Sequence, residues 1–179
     1  LRDGERVSST RIREAVRAAD FLQAAGMLGR PYRWRGPVIH GRQLGRLLDY
    51  PTANMKPGCG LQPPHGVYAV RARVNGAEYG GVANLGVRPS LDPEDVNGGR
   101  VLLETHCLDW PAHLGPQGGY GKIIRVELLH KLHDELKYDS LAALTQGIAQ
   151  DCENARTWFA THHAPSYTDT RRQTTRDRI

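Results

Sequence analysis

Cysteine is scarce in this chain: there are three, Cys59, Cys107 and Cys152, far apart and without a CxxC pair. An odd and scattered set argues against a disulfide framework and against a zinc site, and reads as three reduced, partly buried thiols. Long apolar runs are missing as well. No stretch approaches the roughly 18 to 20 residues of a spanning helix, so no membrane partner is expected. The opening LRDGERVSSTRIREA lacks a hydrophobic signal-peptide core, which makes the cytoplasm the default compartment. Aromatics amount to only 7% of the residues. A barrel that binds RNA needs aromatic side chains on its open strand face to stack bases, and the best strand, GVYAVRARV, offers one. Nucleic acid is therefore not expected as a partner, despite a net charge of +5. Much of that charge sits at the ends, on Arg11, Arg13 and Arg17 and on Arg171, Arg172, Arg176 and Arg178. A phosphorylated small molecule suits it equally well.

The 179 residues suffice for one compact domain and some extra chain. Residues 8 to 29 read as two short helices, the first capped by Ser9 or Thr10, the second opening at Asp20 and stopping at Gly29. From residue 36 to 133 the pattern changes to strands. GPVIHG is a short strand candidate. GVYAVRARV alternates, with Tyr68, Val70, Ala72 and Val74 on one face and Arg71 and Arg73 on the other. Asn75-Gly76 is a hairpin signal, and AEYGGVANLG returns from it. RVLLETHCLDW (100–110) and GKIIRVELLHKLH (121–133) are two further strands, while NLGVRPS (84–90) reads as a turn. Short strands with glycine and proline turns argue for an antiparallel barrel or sandwich. Residues 139 to 160 then form a helix, capped by Asp139 or Ser140, with Leu141, Leu144, Ile148, Cys152 and Ala155 at helical spacing for packing on the barrel. The polar, basic stretch 161–179 reads as a disordered tail.

The residues with chemical potential cluster around HGRQLGRLLDYPTAN. Gly41 and Gly45 let the backbone approach an anion, and Arg42 and Arg46 add positive charge. Pro51 fixes its own backbone and extends Tyr50. If the segment after it is extended, Thr52 and Asn54 project to the same side, where a hydroxyl and an amide oxygen suit a hard cation such as Mg²⁺ with phosphate partners. Taken alone, the same residues read first as a polar turn entering a strand. Glu104 sits in an otherwise apolar strand and shares a face with Leu102, His106 and Leu108. It is either a solvated carboxylate or a base beside a cleft, as phosphoryl transfer to an alcohol requires. His106, two residues on, is either a structural histidine, the reading favoured here, or a second catalytic group.

In order along the chain, HGRQLGRLLDYPTAN, GVYAV, GVANLGVRPS, LLETHCLDW and the stretch YGKIIRVELLHKLHDELKYDSLAALTQGIAQD resemble the riboflavin kinases. The likeness is to the kinase module of bacterial bifunctional riboflavin kinase/FAD synthetases and covers about residues 30 to 160. It implies a mainly β fold: a six-stranded antiparallel Greek-key barrel with a C-terminal α-helix, preceded here by short helices. It implies ATP and riboflavin as substrates, FMN and ADP as products, and Mg²⁺. Thr52 and Asn54 would hold metal and nucleotide phosphates, Glu104 would take the proton of the ribityl hydroxyl, and the loop from Gly41 through Arg42 to Gly45 would lie over ADP. The flavin ring would lie in an apolar slot between barrel and C-terminal helix. SSTRIREAV resembles the closing signature of the adenylyltransferase module that precedes the kinase in those enzymes. Residues 1–29 would then be a remnant of that module, the chain would lack the complete FAD-synthesising part, and a catalytically silent barrel that binds flavin or nucleotide is the alternative. Three departures stand out. Asp49 replaces the usual glycine, His133 replaces the usual arginine, and PAHLGPQGG (111–119) exceeds the usual turn.

Overall fold

The computed structural model describes residues 6–40, 48–58, 60–87, 100–115 and 119–162. It opens with α1, Ser9–Arg17, and α2, Phe21–Leu28. The cap of α1 is Ser8, whose hydroxyl accepts from the Arg11 N–H at 3.3 Å, one residue before the expected Ser9 or Thr10. All three residues in the Ser-Ser-Thr run can cap, and starting at Ser8 brings Ala15 and Val16 to the buried face. Asp20 caps α2 by accepting from the Gln23 N–H at 2.9 Å, and Gly29 ends it at φ 68°.

Six strands follow: β1 Arg33–Pro37, β2 Ala53–Met55, β3 Gly66–Val74, β4 Ala77–Val87, β5 Val101–Cys107 and β6 Ile123–His133. Their order in the sheet is β1-β6-β3-β4-β5-β2, all antiparallel. The run β6-β3-β4-β5 is a Greek key: three successive strands with the fourth returning beside the first. An isolated bridge between Ile39 and Asn54 joins the two ends of the sheet and brings the barrel nearly to closure. The first strand lies earlier than GPVIHG. It ends at Pro37, after which Val38 pairs once with Lys122 and Ile39 once with Asn54, because the chain is leaving β6 for the other end of the sheet. The stretch read as a turn at residue 84 is strand as far as Val87, with residues 88–90 outside the described ones. The β3–β4 hairpin turns at Asn75 and Gly76, with φ 50° and 84°, as the Asn-Gly pair predicts.

Tyr68, Val70, Ala72 and Val74 project into the barrel with Met55, Leu85, Leu103, Ile124, Val126 and Leu128. Phe21 of α2 joins this core, stacked on Tyr32 at 5.9 Å and edge-on to Tyr68 at 5.7 Å. The outer face of the sheet receives α3, Leu141–Thr161, capped by Ser140. Cys152 and Ala155 bury against Ala69 and Val82, flanked by Ile148, Trp158 and Phe159. Leu141, expected in that stripe, is 59% exposed, since packing on the sheet begins only at Ile148. Cys107 and Cys152 are fully buried rather than partly so, and burial pushes the Cys107 thiol up to about 12. Cys59 and nearly all of the stretch read as a tail lie outside the described residues. No described helix is long and apolar enough to cross a membrane.

Candidate active site

The run Tyr50-Pro51-Thr52 leads into β2 along the outer side of the barrel, and a histidine holds it there. The Pro51 carbonyl can only accept, so the His106 Nδ1–H donates to it, at 2.8 Å. Burial holds the His106 pKa below its ordinary value, with the Pro51 bond acting against that and the Arg156 charge with it. The ring is thus a neutral imidazole near pH 7, edge-on to Tyr50 at 5.3 Å and parallel to Trp110 at 6.1 Å. The ring anchors the Pro51 carbonyl and also lines the cavity described below. Just ahead of Tyr50, Asp49 adopts φ 60°. This left-handed conformation explains why glycine suits the position and why aspartate, one of the few side chains that tolerates it, can stand there.

Strand pairing then assembles the polar residues. Asn54 on β2 is the register partner of Glu104 on β5, and Glu104 is the partner of Asn84 on β4. Register partners project from one side of a sheet, so an amide, a carboxylate and a second amide form a line on the outer face. Asn54 is buried, at 5% exposure, and its Oδ1 has no hydrogen-bond partner among the described residues. The Asn84 Oδ1 is in the same condition.

A cavity of about 180 Å³ opens beside this line, between the sheet and α3. Asn84, Glu104 and His106 line it from the sheet, Thr52 from the run leading into β2, and Leu144, Ile148 and Asp151 from the helix. Val67 and Val82 add an apolar floor, and Glu135, Leu136 and Tyr138 come from the link between β6 and α3. That link is clasped at its start: His133 Nε2 lies 2.6 Å from Asp151 Oδ1, and His133 Nδ1 lies 2.6 Å from the Asp134 carbonyl. Both ring nitrogens face acceptors, which favours the imidazolium. Burial alone would lower the His133 pKa, but these bonds and the charges of Asp151 and Asp134 outweigh it and raise the value.

Of the residues singled out from sequence, Thr52 and Glu104 meet at the cavity. Asn54 adjoins Glu104 in register without forming part of the cavity wall. Gly41, Arg42 and Gly45 lie outside the described residues. Asn84 and the pairing of His133 with Asp151 were not foreseen, although the family resemblance implied that the segment at His133 closes over the flavin. The oxygens fit a hard cation. Asn54 presents an amide oxygen without a partner among the described residues, Thr52 carries a hydroxyl two residues away, and Mg²⁺ takes few protein ligands when phosphates complete its shell.

The profile of the Flavokinase family, riboflavin kinase, matches residues 28–159. The chain is 41% identical over 158 residues to the bifunctional riboflavin kinase/FMN adenylyltransferase of Haemophilus influenzae, covering 88% of this chain and 48% of that protein. It is 42% identical over 154 residues to the enzyme of the same name from Pseudomonas fluorescens, covering 86% and 47%. Among solved structures, the Macrolide-efflux Protein from Streptococcus pneumoniae superposes with a TM-score of 0.71 at 31% identity, over 87% of this chain and 48% of that one. The chain thus spans about half the length of the curated relatives it matches. It belongs to the riboflavin kinase family.

Proposed function

We propose that the chain transfers the γ-phosphoryl group of ATP to the terminal ribityl hydroxyl of riboflavin, giving FMN and ADP. The observation that carries this reading is the line Asn54–Glu104–Asn84 beside a partly apolar cavity: one carboxylate flanked by two amides whose oxygens lack partners among the described residues. Glu104 accepts the proton of the hydroxyl as its oxygen bonds to the γ-phosphorus. The bond from that phosphorus to the bridging oxygen breaks, and its electrons leave with ADP. Thr52 and Asn54 would hold Mg²⁺, which would neutralise the charge of the phosphates. Gly41, Arg42 and Gly45, which lie outside the described residues, are assigned to ADP by the family resemblance alone. Val67, Val82, Leu144 and Ile148 form the apolar surface for the flavin ring. Phosphoryl transfer asks chiefly for alignment and charge neutralisation, so this small set of groups suffices.

Residues 30–160 are the kinase unit in this reading, and α1 and α2 belong to the end of the preceding adenylyltransferase module of the relatives. The test is direct. The purified chain is incubated with riboflavin, ATP and Mg²⁺, and the flavins are separated by chromatography. FMN without FAD is expected. Absence of FMN while riboflavin and ADP still bind would replace the kinase with a silent flavin- and nucleotide-binding barrel.

A further inference from the structure

The register line through Glu104 continues past it. Asn54, Glu104, Asn84, Val67 and His133 are successive partners on β2, β5, β4, β3 and β6. Polarity changes along this line. It runs from two amides and a carboxylate to an apolar residue, and it ends at the histidine clasped to α3. Riboflavin has the same sequence of chemistries, a polyhydroxyl chain followed by an aromatic ring. We infer that Asn84 holds the ribityl chain by hydrogen bonding to a secondary hydroxyl, and so brings the terminal hydroxyl to Glu104. The inference rests on the kinase reading above and adds an acceptor-binding residue to it.

Three observations converge on Asn84. Its Oδ1 is buried without a hydrogen-bond partner among the described residues, a condition that folded proteins otherwise avoid. It lines the same cavity as Glu104 and Thr52. It stands one strand from Glu104, on the side away from Asn54, and so on the acceptor side of the base if Asn54 serves the phosphates. Neighbouring strands lie about 4.8 Å apart, within reach of a chain whose end is at Glu104. The χ2 torsion of asparagine is soft, so a small rotation turns the amide toward the cavity. The residue type also fits. An amide can donate to a hydroxyl or accept from it. An aspartate here would set a second negative charge beside Glu104 and beside the incoming phosphates.

The test uses two flavins in the absence of ATP: riboflavin, and lumiflavin, which carries the same ring with a methyl group in place of the ribityl chain. Binding to the full chain is read from flavin fluorescence. Asn84→Ala is expected to weaken riboflavin roughly five- to tenfold, the scale of one lost hydrogen bond, and to leave lumiflavin unchanged. Asn84→Ser, which keeps a hydroxyl, recovers part of the loss. In turnover, Asn84→Ala raises KM and also lowers kcat, because the acceptor hydroxyl is no longer aligned. Equal weakening of both flavins would make Asn84 a structural part of the cavity, and no change in either would remove it from the site. A parent chain that binds neither flavin would overturn the kinase reading itself, and this assignment with it.

Discussion

The clasp between His133 and Asp151 makes stability depend on pH in a direction that can be worked out. Replacing Asp151 with asparagine keeps the shape and one acceptor oxygen and removes the charge. In the parent protein the His133 pKa is raised above its ordinary value near 6.5. A raised value means that the native state binds the proton more tightly than the unfolded chain. The stabilisation is complete below about pH 6.5 and fades as pH climbs through the native value. A charge-assisted hydrogen bond contributes about 1.5–3 kcal/mol and a neutral one about 0.5–1.5 kcal/mol. Their difference is about 1–2 kcal/mol, and the lower end applies because the His133 side chain is 25% exposed. Urea unfolding of parent and Asp151→Asn should therefore differ by about 1 kcal/mol at a pH near 5.5 and by only a few tenths near 8.5. His106 and His130, whose values are lowered chiefly by burial, contribute the opposite slope. They lose stability as pH falls, but equally in both proteins, so they cancel in the difference. A gap that stays constant, or that widens as pH rises, would refute the charged clasp.

Other expectations concern the chemistry and the backbone. Glu104→Gln should retain riboflavin and ADP binding while lowering turnover by about 10²-fold or more, the scale for a lost general base; unchanged turnover would remove Glu104 from proton transfer. Asn54→Ala and Thr52→Ala should each weaken Mg²⁺-dependent ATP binding measured by calorimetry, and unchanged affinity in both would detach them from the phosphates. Asp49→Gly should unfold at higher denaturant than Asp49→Ala, by about 1 kcal/mol, because alanine bears the steric cost of the left-handed backbone; the reverse order would contradict the φ of 60°. Gly66→Ala should destabilise by about 2 kcal/mol or more, since φ is +150° and a Cβ there would lie 2.5 Å from the His133 carbonyl oxygen.

Much of the barrel is legible in the chain because its strands carry local signals. Alternation at Tyr68, Val70, Ala72 and Val74, followed by Asn75-Gly76, marks the central hairpin. The spacing of Ile148, Cys152 and Ala155 marks the helix face that packs on it. Glycine misleads at Asn84-Leu85-Gly86, where a turn signal sits inside a strand. Yet the alternation of Ala83 and Leu85 inward against Asn84 outward was there to be read. Thr52 and Glu104 are legible through the family motifs. Their union with Asn84 is not, because it depends on the register of β2, β5 and β4, which no single segment specifies. The clasp is harder still, joining residues 18 apart on a strand and a helix. Its one trace is Asp151, a carboxylate placed among the helix positions that face the barrel.

The seam of the barrel adds a dynamic consequence. Closure depends on the Ile39–Asn54 bridge and a β2 of three residues, so this is where the ring needs least work to come apart. Asn54 is also the residue proposed to grip the nucleotide. If Asn54 holds the nucleotide, opening of the ring and release of the nucleotide would share a single equilibrium, with bound nucleotide acting as a staple across the seam. The Ile39 amide, which donates to the Asn54 carbonyl at 2.8 Å, becomes a gauge of occupancy, its hydrogen exchanging slowly when nucleotide is held and quickly once it has gone.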